Sequence, residues 1–324
     1  MATPMISQKR ALGATGLMVH AICIGCAPLG DMPEAFAYSV AEDQALATYR
    51  AVLDGPIHFL DTAAAYGDGE SERRLGIVLR ERGGIPPGFV VATKADRDLN
   101  TGDFGGDQIR RSIERSLRLL GQDRLQLCYL HDPEHTTFET AMAPGGAVEA
   151  LRRCREEGLV DHIGVAGGPI AMMLRFVETG LFEVAISHNR YTLLNTSADP
   201  FWHACRRLGV AAVNGAPYGS GMLAKGPGAY PRYAYQDAPD ELLGRARRLE
   251  AICSRYGVPL GAAALQFSLR DPRIASTIVG ISRPERLRQT IYFAQYPVPD
   301  ELWAELAAVV PTTEDPEAGR WRAR

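Results

Sequence analysis

FLDTAAAYGDGESERRLG, residues 59–76, begins as an apolar run that stops on Asp61, and Tyr66 follows five residues later, ahead of Gly-Asp-Gly and a charged helical pattern. That order reads as a buried strand with an acid at its C-terminal tip, a tyrosine on the next loop, and then a helix. Two other apolar runs end the same way: FVVATK stops at Lys94 and LQLCYLH at His131. An acid, a phenol, an amine and an imidazole, each at or just past a strand end, make a set of groups able to handle protons.

Outward from that stretch the pattern repeats. Strand-like runs at 57–61, 89–94 and 125–131 are joined by others at 20–26, 162–166, 183–188, 210–215 and 276–280, with helical patterns between them. In DQIRRSIERSLRLLG, Ile109, Ile113, Leu117 and Leu120 form one apolar stripe, with Asp107 expected as N-cap and Gly121 as the stop. Eight strands apolar on both faces, each followed by a helix, predict an α/β chain folded as a (β/α)8 TIM barrel. A doubly wound open sheet is the alternative. A hairpin turning at Gly13 to Gly16 is expected before the first barrel strand. No composition break or linker divides residues 1–324, so one domain is expected, with a polar tail from about residue 311 that drapes over the active face or is disordered. The Gly/Pro/Tyr-rich stretch 216–240 reads as an active-face loop.

The formal net charge of −3 gives no electrostatic reason to expect nucleic acid or an anionic membrane as partner. No apolar run approaches the roughly 18 residues that a bilayer span needs, and the segment after Lys9-Arg10 lacks a clean cleavage site for a signal peptide. The six cysteines sit in apolar contexts and read as reduced thiols of a cytoplasmic protein. Oligomeric state leaves no trace in the sequence.

In a barrel, strand-end side chains converge on one mouth, so Asp61 and Lys94 would face each other beside Tyr66. A nearby ammonium would favour phenolate and bring the tyrosine below its usual value, while His131 could orient a substrate oxygen. On spacing alone, an ordinary ion pair beside a surface tyrosine remains the alternative. HDPEH (131–135) matches a zinc-peptidase string, but Pro133 breaks the helix that would align its histidines. Cys23 and Cys26 would point to opposite faces of a strand, which suits packing better than metal or redox work. The chain has no G-x-G-x-x-G after a strand.

From residue 10 to about 295 the chain resembles the aldo-keto reductase superfamily. RALGATGLMVHAICIGCAPLG is similar to its hairpin and first strand, residues 59–76 to its Asp–Tyr signature, and VATK and YLHDPE to the segments with its Lys and His. The resemblance implies catalytic Asp61, Tyr66, Lys94 and His131 on a (β/α)8 barrel, NADP or NAD as cofactor, and a small carbonyl or sugar substrate. RYTLLN, GSGMLAKGP and VPLGAAALQFSLRDP are most similar to the branch holding D-threo-aldose (L-fucose) 1-dehydrogenases, pyridoxal dehydrogenases and L-galactose dehydrogenase. The expected reaction is therefore sugar C1 oxidation. Reduction of aldehydes or ketones, pyridoxal oxidation, a cofactor-sensing subunit without turnover, and a metal-dependent hydrolase are the alternatives. The resemblance also implies cofactor contacts from Gly25, Cys26 and Ala27, from the clamp Gly219, Ser220, Met222 and Lys225, and from Gly280, Ser282, Arg286 and Gln289. Ala166-Gly167 stands where many relatives carry Ser-Asn, and His188 and Gly215 replace a glutamine and an aromatic. That leaves His188, Asn189 and Asn214 as candidates to hold the nicotinamide. Gly280 replaces a lysine aimed at the 2′-phosphate, so dual or NAD use is expected unless Arg283 or Arg286 compensates. Loop aromatics Phe36, Tyr38, Phe104, Tyr230, Tyr233 and Tyr235 either line the pocket or pack the loops.

Overall fold

The structure, a computed structural model, describes residues 9–318. Strands β1 (Lys9–Ala11) and β2 (Met18–His20) pair antiparallel as the expected hairpin, with Gly13 and Gly16 at positive φ in its turn. Arg10 Nη1 donates to the Ile274 carbonyl (2.9 Å), and Leu12 and Val19 join the barrel-interior cluster, so the hairpin plugs the N-terminal end.

Eight parallel strands then close the barrel: β3 (Ile22–Gly25), β4 (Phe59–Asp61), β5 (Val90–Ala95), β6 (Leu125–His131), β7 (Val160–Gly167), β8 (Val184–His188), β9 (Ala211–Gly215) and, after the small hairpin β10 (Arg232–Tyr233) and β11 (Gln236–Asp237), β12 (Ile274–Gly280). β12 seals the ring against both β3 and β9. The open-sheet alternative is thereby excluded among the described residues.

Side-chain alternation sorts the strands. Cys23, Phe59, Val90, Ala92, Leu127, Tyr129, Val184, Ile186, Ala211 and Val213 fill the interior, while the alternate residues pack outward under the helices. Two residues beyond Phe59 lies Asp61; two beyond Ala92, Lys94; two beyond Tyr129, His131. The interior layers therefore end in charged and polar groups at one rim.

The helix Glu70–Glu81 lies against the helix Gly106–Leu120 at Gly76, where a Cβ would stand 1.9 Å from the Leu119 carbonyl oxygen. The second helix starts two residues earlier than expected. Gly105 is its cap, its N–H held by Asp103 Oδ1 (2.8 Å), and Asp107 sits in the first turn, where its charge still favours the helix N-terminus. Gly121 ends it at φ 67°.

The tail does cross the active face. Thr312 bridges to Asn195, and the fully buried Arg190 pairs with Asp315 (2.5 Å) and Glu317 (2.9 Å). Residues 319–324 lie outside the described residues. No described helix is long and apolar enough to cross a membrane.

Two stability predictions follow from the helix over residues 70–81. Gly76→Ala should lower stability by about 1–3 kcal/mol, because neither helix backbone can yield to the new methyl, and a shifted urea midpoint will report it. Glu72 is fully buried against Thr93 Oγ1 (2.5 Å), and burial pushes its carboxyl up to about 7. A folded value above the unfolded one gives stability that is whole below about pH 4.3 and fades as pH rises towards 7. Glu72→Gln should therefore flatten the decline between those limits and gain roughly 1–3 kcal/mol at neutral pH, measured by denaturant unfolding across pH.

Candidate active site

Lys94 is 2% exposed and its ammonium is held by three acceptors. It donates to Asp61 Oδ1, to the Thr62 carbonyl (2.8 Å) and to the Tyr66 hydroxyl (3.0 Å), and it lies 4.6 Å from the Tyr66 ring centre. Burial works to discharge the amine, but the Asp61 carboxylate and Tyr66 together hold it above its ordinary value. Burial also pushes the Asp61 carboxyl up, against the opposing pull of Lys94. The His131 ring stands edge-on to Tyr66, with centroids 5.6 Å apart. All four groups predicted from the strand ends meet at one rim.

One expectation is corrected. Tyr66 lies above its ordinary value rather than below it, because burial outweighs the Lys94 ammonium and the Asp61 carboxylate adds to the rise. A cation paired with its own anion leaves little net field to stabilise a phenolate.

Tyr66 reaches the rim through a tight seam of backbone. Gly67 follows it at φ 61°, and a Cβ there would sit 1.8 Å from the Gly30 carbonyl oxygen. The preceding Ala65 N–H donates to Asp96 Oδ2 (2.9 Å).

From this rim runs a cleft of about 970 Å³. Near the rim it is lined by Phe36, Arg97, Asp132, His135, Tyr235 and Glu317; farther along by Tyr38, Lys225, Ser282, Arg283, Arg286 and Gln289. Gly25, Ala27, His188, Gly215, Ser220 and Gly280 also line it. Five expected cofactor contacts do not. Cys26 is fully buried with Sγ 3.6 Å from the Ile24 carbonyl, and burial pushes its thiol up to about 12. Asn214 alternates with the interior Val213, so its amide points outward and donates to the Tyr191 carbonyl (2.9 Å) and Ser268 Oγ (2.8 Å). Asn189 is buried, with Oδ1 accepting from Ser220 Oγ (3.0 Å), and Met222 is fully buried beneath the loop. Gly219 lies just behind the lining, its position closed by the Tyr233 ring, which a Cβ would meet at 2.1 Å. The loop aromatics divide likewise: Phe36, Tyr38 and Tyr235 line the cleft, while Phe104, Tyr230 and Tyr233 are buried.

The far end fits a dinucleotide's phosphates. Lys225 lies over the Tyr230 ring (3.9 Å), and burial followed by the nearby Arg286 charge draws its ammonium below its ordinary value. Ser220 and Gly221, at φ 65° and 127°, form an irregular loop on the lining, a conformation that suits close approach of an anion to backbone. Lys225, Arg283 and Arg286, none within ion-pair distance of a carboxylate among the described residues, stand beside such a loop and suit an anionic ligand.

Residues of this site outside the expected set include Asp96 and Asp132, which flank His131, and Glu317, brought in by the tail. His131 and His135 share no helix face, since residues 133–135 form a single 3₁₀ turn after Asp132 at φ 42°. Ligand atoms of Asp132, Glu134 and His188 do lie within 4.8 Å of one another, although Glu134 Oε1 already accepts from the Gly168 N–H (2.8 Å).

The sequence profile of the Aldo/keto reductase family matches residues 21–311. The chain is 36% identical to a D-threo-aldose 1-dehydrogenase of a Pseudomonas species, over 95% of this chain and 100% of that protein. It is 32% identical to the pyridoxal 4-dehydrogenase of Microbacterium luteolum, over 93% of this chain and 96% of that one. A solved aldo-keto reductase from Bacillus halodurans, in its holo form, superposes with a TM-score of 0.76 at 20% identity, covering 97% of this chain and 99% of that one. The chain therefore belongs to the aldo/keto reductase family and is an NAD(P)-dependent oxidoreductase.

Proposed function

We propose that this enzyme oxidises the C1 of an aldose, with Tyr66 as general acid and base. The observation that carries the reading is the Lys94 ammonium, 3.0 Å from the Tyr66 hydroxyl and tied to Asp61, at the inner end of the cleft. Tyr66 exchanges a proton with the reacting oxygen: it takes the anomeric proton in oxidation, giving a lactone, and protonates the alkoxide in reduction. Lys94 and Asp61 hold the phenol in place and tune it, and His131 orients the same oxygen. A nicotinamide cofactor, when bound, would supply or accept the hydride that balances this proton transfer. Ser220, Lys225, Arg283 and Arg286 would hold its phosphates, with Ser282 and Gln289 beside the adenosine end. His188, Gly215 and Ala166 would border the ring.

The polyol reading is supported by the inner lining. Asp132 and Glu317 offer carboxylates, His135 and Arg97 offer donors, and Phe36 and Tyr235 offer flat faces for sugar C–H groups. The 36% identical relative is named for an aldose, which agrees with that lining. Pyridoxal oxidation and aldehyde reduction are the competing outcomes of a substrate panel of L-fucose, D-arabinose, pyridoxal and aromatic aldehydes.

Tyr66→Phe should lower kcat by about 10²–10⁴-fold while leaving cofactor affinity, read by fluorescence quenching, unchanged. Near wild-type turnover in that variant would remove Tyr66 from the mechanism.

Dual cofactor use is proposed on the same ground: Gly280 offers no charge, but Arg283 and Arg286 remain for a 2′-phosphate. Arg286→Ala should weaken NADP binding by about tenfold or more and NAD binding much less, by titration of each nucleotide. Equal losses for both would assign Arg286 to a part the two cofactors share.

A further inference from the structure

Asp96 follows β5, two residues past Lys94, and is 2% exposed. Its Oδ1 lies 2.7 Å from His131 Nδ1, and its Oδ2 accepts the Ala65 N–H at 2.9 Å. Its own N–H donates to Ser112 Oγ (3.0 Å) and its carbonyl accepts from Gln108 Nε2 (3.2 Å), so the helix over residues 106–120 clamps it from behind. One carboxylate thus ties the imidazole to the loop bearing the phenol.

We propose that Asp96 is a positioning residue that keeps a proton on Nδ1 of His131, so that the cleft-facing Nε2 can donate only when the ring is an imidazolium. The proposal rests on His131 as the group that orients the substrate oxygen. An ionised carboxylate can only accept, so the Nδ1 that faces it must carry hydrogen. A neutral ring held this way presents a lone pair at Nε2, and donation there needs the second proton.

Several charged groups face the ring. Asp132 follows His131, with its Oδ1 3.6 Å from Nε2; Asp61, Tyr66 and Lys94 approach from β4, its loop and β5; His135 and His188 come from the β6 turn and β8. Burial pulls the imidazolium down, but Asp132 and Asp96 together hold it above its ordinary value, Lys94 opposing. The cationic form therefore extends towards neutral pH and is lost as pH rises through the elevated value.

Asp96→Asn separates the two roles. The Ala65 N–H still needs an acceptor, so the amide oxygen must face it and the NH2 must face His131 Nδ1. That reverses the hydrogen bond and moves the neutral ring's proton to Nε2. In protein labelled with ¹⁵N-histidine, the His131 signal is assigned by its loss in His131→Gln, and its shifts are followed across pH. The wild type should show Nδ1 protonated in the neutral ring, and Asp96→Asn should show Nε2 protonated instead. In carbonyl reduction, wild-type kcat/KM should fall about tenfold per pH unit above the His131 transition, and Asp96→Asn should lose that limb. The wild-type spectrum alone decides the tautomer, should the variant fold poorly. A neutral wild-type ring protonated at Nε2 overturns the proposal, as does an unchanged tautomer in Asp96→Asn. A reversed tautomer with an unchanged rate profile overturns the role in turnover. Since the spectra need no turnover, failure of the Tyr66 assignment would show separately, in Tyr66→Phe.

Discussion

The rim of this barrel is organised around one buried ammonium. A lysine taken out of water costs several kcal/mol unless it is paired and hydrogen-bonded, and Lys94 meets that demand with the Asp61 carboxylate, the Thr62 carbonyl and the Tyr66 hydroxyl. Three acceptors for three N–H bonds leave the amine no freedom to turn. Because the pair is net neutral, its charge does little to offset burial of the phenol, and Tyr66 stays protonated. The same constraint that fixes the geometry thus fixes the proton inventory: cationic lysine, anionic aspartate, neutral tyrosine.

That inventory depends on backbone as much as on side chains. Tyr66 is delivered by a loop pressed so closely on Gly30 that Gly67 has no space for a Cβ, and whose Ala65 N–H is held by Asp96. Asp96 is in turn held by Ser112 and Gln108 from the helix over residues 106–120. Each reactive group is braced by an element other than the one that carries it, which is how a rim built from loops can hold side chains steady.

The barrel and its four rim groups were legible because strand alternation and strand ends carry the information. The same alternation reaches further residues. Lys94 and Asp96 stand two apart, so both face inward, which marks Asp96 as a rim residue. Val213 faces inward, so Asn214 cannot, and its amide serves Ser268 instead of the cleft. Other features were beyond any local pattern. Glu317 joins the cleft through Arg190, far away in the sequence, and Met222 and Asn189 are hidden by the way residues 216–240 fold back over the barrel. Tyr66 is raised and not lowered because a motif names the neighbouring cation but not the burial it must overcome.

The cleft is electrostatically uneven, and that bears on the direction of reaction. At the inner end each cation meets a carboxylate, Lys94 with Asp61, His131 with Asp96, and Arg190 with both Asp315 and Glu317, and Asp132 adds a further acid. At the outer end no carboxylate among the described residues comes within ion-pair distance of Lys225, Arg283 or Arg286, although Arg283 lies near enough to Glu285 to help a backbone hydrogen bond and Arg288 hold that carboxyl below its ordinary value. An anionic ligand is therefore drawn to the outer end and away from the carboxylate-rich inner end. On the proposed reading, a phenol kept neutral by burial carries the proton that an alkoxide would take up in reduction. Accepting a proton from a sugar hydroxyl requires an added positive charge next to Tyr66 to bring the phenol down, and Coulomb attraction in a buried site is strong enough for one nearby cation to do so. On that reading, the proton affinity of Tyr66 follows the charge of what occupies the inner end, with the four rim residues unchanged.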